Sequence, residues 1–176
     1  TVQDTTPPFV IAPIDYTTEA TAIDTILTEL DYGTATASDV VDNSPTITSD
    51  APISFSLGET MITWTGADFV GNSEIDTQFV TITDTTPPVI LEPPNITLDA
   101  TGVLTSADIG TATATDIFGI QSITNDAPDT FPLGITNIHW TATDNNDNVA
   151  TTSTQAVTVL TPQIIKSQII DSLELL

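Results

Sequence analysis

The chain repeats itself, and no other feature of the sequence restricts the possible folds as strongly. Asp4-Thr5-Thr6-Pro7-Pro8 returns as Asp84-Thr85-Thr86-Pro87-Pro88, and Gly33-Thr34-Ala35-Thr36-Ala37-Ser38-Asp39 returns as Gly110-Thr111-Ala112-Thr113-Ala114-Thr115-Asp116. Asp50-Ala51-Pro52 matches Asp126-Ala127-Pro128, and Phe55-Ser56-Leu57-Gly58 matches Phe131-Pro132-Leu133-Gly134. Ile62-Thr63-Trp64 matches Ile138-His139-Trp140, with Asp68 and Asn72 answered by Asp144 and Asn148. A period of roughly 80 residues is the size of a minimal β-sandwich. The small drift in register between blocks places insertions in loops. Two tandem domains follow, over 4–83 and 84–160.

Within each period the pattern is that of short strands with turn residues between them. In the second repeat the strands are Val89–Leu91, Ile96–Leu98, Gly110–Thr115, Ile120–Thr124, Ile135–Thr143 and Ala156–Val159. The strand from Ile135 is the clearest. Its alternation puts Ile138, Trp140 and Ala142 on one face and Asn137, His139 and Thr141 on the other. Trp64 and Trp140 are therefore core residues rather than platforms for sugar stacking. Gly134 stands where a turn enters this strand, a place for positive φ. Abundant Thr and Val suit half-buried strands, and a hydrophobic content of 39% is enough to build a core. The fold class is all-β: two tandem immunoglobulin-like β-sandwiches of Greek-key type, with a short helical tail.

The tail comes from the last residues. Thr161 can cap a helix that begins at Pro162, and Ile165, Ile169, Leu173 and Leu176 then share one face of an amphipathic helix over 161–176. At the other end, residues 1–3 align with Thr81-Ile82-Thr83 and read as the end strand of a preceding repeat. The chain is thus expected to be part of a longer array.

The ordered set Asp-Thr-Thr-Pro-Pro, Phe-Pro-Leu-Gly, Ile-His-Trp-Thr-Ala-Thr-Asp and Asn-Val-Ala, closed by a Thr/Val strand, resembles the hyalin repeat (HYR) family across both repeats. The resemblance implies an immunoglobulin-like sandwich from extracellular multidomain proteins with adhesive roles. Acidic, cysteine-free tandem versions resemble those of archaeal or bacterial surface proteins. Many family members carry a cysteine pair. Here Ala12 and Glu92 occupy the first position and the chain has no cysteine. The ~2–4 kcal/mol that a disulfide contributes must come from other contacts.

Charge narrows the partners. There are 24 acidic residues against 1 Lys or Arg, a formal net charge of -23. Without a basic patch, nucleic acid is excluded as a partner and direct binding to an anionic membrane is disfavoured. So many like charges repel and call for a counter-ion, high salt or a packed assembly. In an immunoglobulin-like topology the incoming linker, the loop after the second strand and the loop before the last strand meet at one pole. That brings Asp84, Asp116, Asp144, Asp147 and Asn148 together in repeat 2, and Asp4, Asp39, Asp68 and Asn72 in repeat 1. Oxygen donors in such a cluster suit Ca²⁺. The competing reading is that these are turn aspartates occupied with local backbone N–H groups.

Asn95-Ile96-Thr97 is an N-glycosylation sequon. His139 is read as a surface residue, and Asp50 and Asp126 as turn openers. With no nucleophile motif, no paired acid and base and no phosphate loop, the chain is not expected to be an enzyme. The expected function is a structural or adhesive repeat of a surface layer, filament or adhesin stalk, stiffened by Ca²⁺ at inter-repeat junctions. Its partners would be neighbouring immunoglobulin-like repeats and like subunits in a homo-oligomer or polymer. The alternative is a carbohydrate- or protein-binding accessory module of an extracellular protein.

Overall fold

The computed structural model describes residues 3–161. The expected helix from Pro162 onward, and most of the expected end strand over 1–3, lie outside those residues. The chain forms two compact units, Thr1–Thr85 and Thr86–Leu176.

In the first unit the elements are β1 Phe9–Ile11, β2 Tyr16–Glu19, β3 Asp24–Thr25, α1 Glu29–Tyr32, β4 Thr36–Ser38, β5 Thr46–Ser49, β6 Phe55–Ser56, β7 Gly58–Ala67 and β8 Ser73–Thr83. One sheet has the order β2-β8-β7-β5, and β1-β4 and β3-β6 form two short ribbons. All pairings are antiparallel except β2 with β8. The alternation along β7 and β8 explains the layering. Ile62 and Trp64 on β7, with Val80 and Ile82 on β8, turn one face inward. Phe55 of β6 and Val10 of β1 are buried opposite. Between them α1, opened by a Thr28–Asp31 capping box, delivers Tyr32 edge-on to Phe55 with ring centroids 5.7 Å apart.

The second unit repeats the plan with β9 Val89–Leu91, β10 Ile96–Asp99, β11 Leu104–Thr105, β12 Thr113–Thr115, β13 Ile120–Asn125, β14 Phe131–Pro132, β15 Gly134–Asp144 and β16 Ser153–Leu160. Its main sheet is β10-β16-β15-β13, with ribbons β12-β9 and β11-β14. Again only the β10–β16 pairing is parallel. Phe131, Ile138, Trp140, Val157 and Val159 form the core. Each unit is an immunoglobulin-like β-sandwich, and the chain is all-β. The strand expected over Gly110–Thr115 is shorter, beginning only at Thr113. Gly110 has φ 73, which is left-handed backbone that a strand does not tolerate. The short ribbon β11-β14 and helix α1 were not anticipated.

A buried glutamine organises both cores. Gln78 on β8 and Gln155 on β16 are each 0% exposed. Gln78 Oε1 accepts the Trp64 indole N–H at 3.2 Å. Its Nε2 donates to the carbonyls of Ile14 and Tyr32, both at 2.8 Å. In the second unit Gln155 Oε1 accepts from Trp140 at 3.2 Å, and its Nε2 donates to Pro94 at 2.8 Å and Ile109 at 3.0 Å. One amide therefore satisfies an indole and two backbone carbonyls outside the sheets that would otherwise be buried without partners.

Gln155→Leu keeps the volume but leaves these groups unsatisfied, each at ~1–3 kcal/mol. A urea titration should show unit 2 destabilised by at least ~2 kcal/mol with its m-value retained. Gly134, with φ 104 and open space around it, probes backbone alone. Gly134→Ala should cost ~1 kcal/mol or more in the same titration, since the added Cβ meets strain rather than a neighbour.

Candidate cation-binding site

The buried phase of β15 runs Ile138, Trp140, Ala142, Asp144. The same alternation that fills the core thus carries an aspartate inside at the end of the strand, where Asp144 is 0% exposed. The tight loop that follows folds back onto it. Asp144 Oδ1 accepts the N–H groups of Asn146 at 2.8 Å and Asn148 at 2.9 Å, and its Oδ2 accepts Asn148 Nδ2 at 2.9 Å. Burial, the largest single influence, pushes this carboxyl upward. The Asn148 side chain and the two backbone N–H groups together outweigh it and hold the group below the ordinary aspartate value.

Asp116 follows β12 and is half-buried, with Oδ1 accepting the Phe118 N–H at 2.8 Å. Asp84, the first residue of the second sequence repeat, is also half-buried. One carboxylate oxygen from each of Asp84, Asp116 and Asp144 lies within 4.8 Å of the others. Three carboxylates this close repel strongly unless a cation sits among them. Oxygen-only donors fit a hard cation such as Ca²⁺ rather than a thiolate- or imidazole-seeking metal. Asp147 and Asn148 stand differently. Asp147 is exposed, at φ 67, and accepts Gln121 Nε2 at 3.2 Å. Asn148 turns its Nδ2 to Asp144 and so positions that carboxylate.

The first repeat shows the same local chemistry. Asp68 Oδ1 accepts the N–H groups of Val70, Gly71 and Asn72 at 2.7–2.9 Å, and Oδ2 accepts Asn72 Nδ2 at 2.7 Å. Here too burial pushes the carboxyl up and the hydrogen bonds bring it down. Asn72 Nδ2 also reaches the Asp4 carbonyl at 3.3 Å. Asp39 Oδ1 accepts the N–H groups of Val41 and Asp42, each at 2.7 Å. These bonds, that from Asp42 first, lower its carboxyl, while the nearby charge of Asp68 works against them. Asp4 Oδ1 accepts the Thr6 N–H at 3.1 Å, whereas its Oδ2 is enclosed with no hydrogen-bond partner. A buried carboxylate oxygen without a donor is costly and is suited to a cation. Among the described residues, however, Asp4, Asp39 and Asp68 do not close to the spacing of Asp84, Asp116 and Asp144. Asp42, which the sequence did not single out, ties this loop region together by accepting the Phe69 N–H at 3.0 Å.

The turn aspartates reach further than their own turns. Asp50 Oδ1 accepts the Thr63 N–H at 2.7 Å and Asp126 Oδ1 accepts the His139 N–H at 2.6 Å. Asp126 Oδ2 lies 2.8 Å from His139 Nδ1. The local turn bond comes instead from Asn125, whose Oδ1 accepts the Ala127 N–H at 3.0 Å. His139 is exposed, as its alternation required.

Two copies of one immunoglobulin-like sandwich, each carrying an aspartate–asparagine loop on its longest strand pair, define a tandem β-sandwich repeat protein. The family model described as the HYR domain matches residues 83–159. The second repeat is thus a HYR domain, and the first repeat carries the same ordered motifs. The chain is 31% identical over 176 residues to hyalin of Lytechinus variegatus and 30% identical over 166 residues to hyalin of Strongylocentrotus purpuratus. These alignments cover 90% and 85% of this chain, but 31% and 13% of the two hyalins, so the chain spans less than a third of either relative. Among solved structures it is similar to human protocadherin-24 EC1-2, with 10% identity, 72% of this chain and 86% of that one covered, and a TM-score of 0.36. It is also similar to the fibronectin(III)-like modules of Clostridium thermocellum CbhA, with 13% identity, 89% and 96% coverage, and a TM-score of 0.33.

Asp144 provides a pH test. Its folded carboxyl lies below the ordinary value, so the unfolded chain binds the proton more readily. The stability it contributes is complete above the unfolded pKa, ~4, and is lost as pH falls through the folded value. In chelator, the melting-temperature difference between wild type and Asp144→Asn should be constant from pH 7 to ~5 and shrink towards pH 2. Taking the difference removes the general relief of charge repulsion in acid, which both proteins share.

Proposed function

We propose that this chain is a non-catalytic structural or adhesive repeat module of an extracellular assembly such as a surface layer, filament or adhesin stalk, and that Ca²⁺ stiffens it. The observation that carries this reading is the approach of Asp84, Asp116 and Asp144 oxygens to within 4.8 Å in a chain of net charge -23. The hyalin relatives support the extracellular, adhesive part of it.

Asp84 belongs to the strap Asp84-Thr85-Thr86-Pro87-Pro88, which the prolines already restrict. Asp116 and Asp144 are fixed by their own backbone hydrogen bonds, so they present oxygens at little further entropic cost. Bound Ca²⁺ would supply the positive charge that lets the three carboxylates stay together, tying the strap to two loops of repeat 2. Like subunits and neighbouring repeats are the partners this reading expects. Both tryptophans are at most 4% exposed, which favours a structural role over a sugar-stacking module.

Thermal melts in Ca²⁺, Mg²⁺ and chelator at matched ionic strength test the cation. At a Ca²⁺ concentration of ~100 times its dissociation constant, stabilisation should reach about 2.7 kcal/mol, with a much smaller effect of Mg²⁺. Asp84→Ala should remove this increment, read as the difference between the Ca²⁺ and chelator melts of the same protein. Coincident curves in all three solutions would end the calcium reading and leave the acidity as a solvation surface.

A further inference from the structure

We propose that Asn95 carries an N-linked glycan. The geometry of the two repeats distinguishes what the fold needs at this position from what it leaves free. Asn95 stands just before β10, exposed, and its Oδ1 accepts the Ala156 N–H of β16 at 2.7 Å. The first repeat has Asp15 at the equivalent place before β2, also exposed, and its Oδ1 accepts the Phe79 N–H of β8 at 2.9 Å. The fold therefore requires one side-chain oxygen, which aspartate and asparagine supply equally. The amide nitrogen of Asn95 has no structural task that its counterpart shares, and no described residue accepts a hydrogen bond from it.

That nitrogen is what makes the difference chemically. Asp15-Tyr16-Thr17 and Asn95-Ile96-Thr97 are matched segments, and the amide alone turns the second into an acceptor sequon, the single one in the chain. Thr97, whose hydroxyl completes the motif, is exposed on β10. β10 is the edge strand of its sheet, so a sugar chain at its start meets no neighbouring strand. The pinned Oδ1 holds the side chain in one orientation without engaging Nδ2. The donor required is a polyprenyl-diphosphate-linked oligosaccharide. Nδ2 forms a bond to the anomeric carbon as the bond from that carbon to the diphosphate oxygen breaks. The bonding pair leaves with the diphosphate, and the amide proton passes to a base of the transferase.

The test is secretion of the full chain from a eukaryotic cell, followed by intact-mass measurement before and after peptide-N-glycosidase. Wild type should lose one oligosaccharide mass, with residue 95 then read as aspartate by peptide sequencing. Asn95→Asp should be secreted without glycan and melt like the enzymatically released protein, since Asp15 shows that a carboxylate meets the structural need. Asp15→Asn should gain a second glycan. Wild type at bare mass, with Asp15→Asn glycosylated once or with a co-expressed secreted glycoprotein modified normally, would overturn the assignment. All measurements are made in chelator, so a failure here leaves the cation reading standing, and the converse holds.

Discussion

Both sandwiches depend on a single buried amide. Gln78 and Gln155 sit in the last strand of each unit at positions that the alternation assigns to the core, where a polar side chain would ordinarily be costly. They are tolerated because the cost is fully offset: each ties an indole from the neighbouring strand to two carbonyls from the segments that lead into β2 and β4 in the first unit, and into β10 and β12 in the second. Apart from Tyr32, which ends helix α1, these residues lie in irregular segments, and irregular backbone or a helix end next to a core leaves acceptors that no ladder can satisfy. The glutamine supplies the missing donors. In a sandwich with no cysteine, this directional clamp joins strands distant in sequence, as a disulfide would, but without covalent constraint on the unfolded chain.

The acidic pole follows from the same strand geometry. Because Trp64 and Trp140 must face inward, Asp68 and Asp144, an even number of residues further along, must face inward too. A buried aspartate at a strand end is stable only when donors surround it, and the asparagine four residues on, with the intervening N–H groups, provides them. The loop is thereby folded around a carboxylate that keeps its charge. Core packing thus sets the position of one acidic group precisely where the chain brings others near, and a protein with one Lys or Arg in its whole length has almost nothing of its own with which to neutralise them.

The repeats are alike in plan and differ in detail, and the differences are informative. Tyr32 comes from a short capped helix, whereas the matching Ile109 comes from irregular backbone, yet both present the carbonyl that the glutamine requires. Asp15 and Asn95 perform one structural task with different chemistry. Asp50 and Asp126 both reach back to the long strand, but only Asp126 meets a histidine there. Where the fold demands a particular atom, both repeats supply it; where it does not, they diverge.

The repeat unit, the second repeat's strands other than β11 and β14, the burial of both tryptophans and the positive φ of Gly134 were legible in the sequence. They arise from period and backbone sterics, which are local and recur twice in one chain. The grouping of Asp84, Asp116 and Asp144 could be anticipated only by way of topology, since nothing in their spacing brings residues so far apart together. The glutamine clamp and the reach of Asp50 and Asp126 to N–H groups of the long strand were not legible. Each depends on which distant group a side chain meets once the sheets have stacked, and an amide or carboxylate reads the same in a sequence whether its partner is water or a buried carbonyl. Local pattern settled which residues face inward; only the tertiary structure decided what they find there.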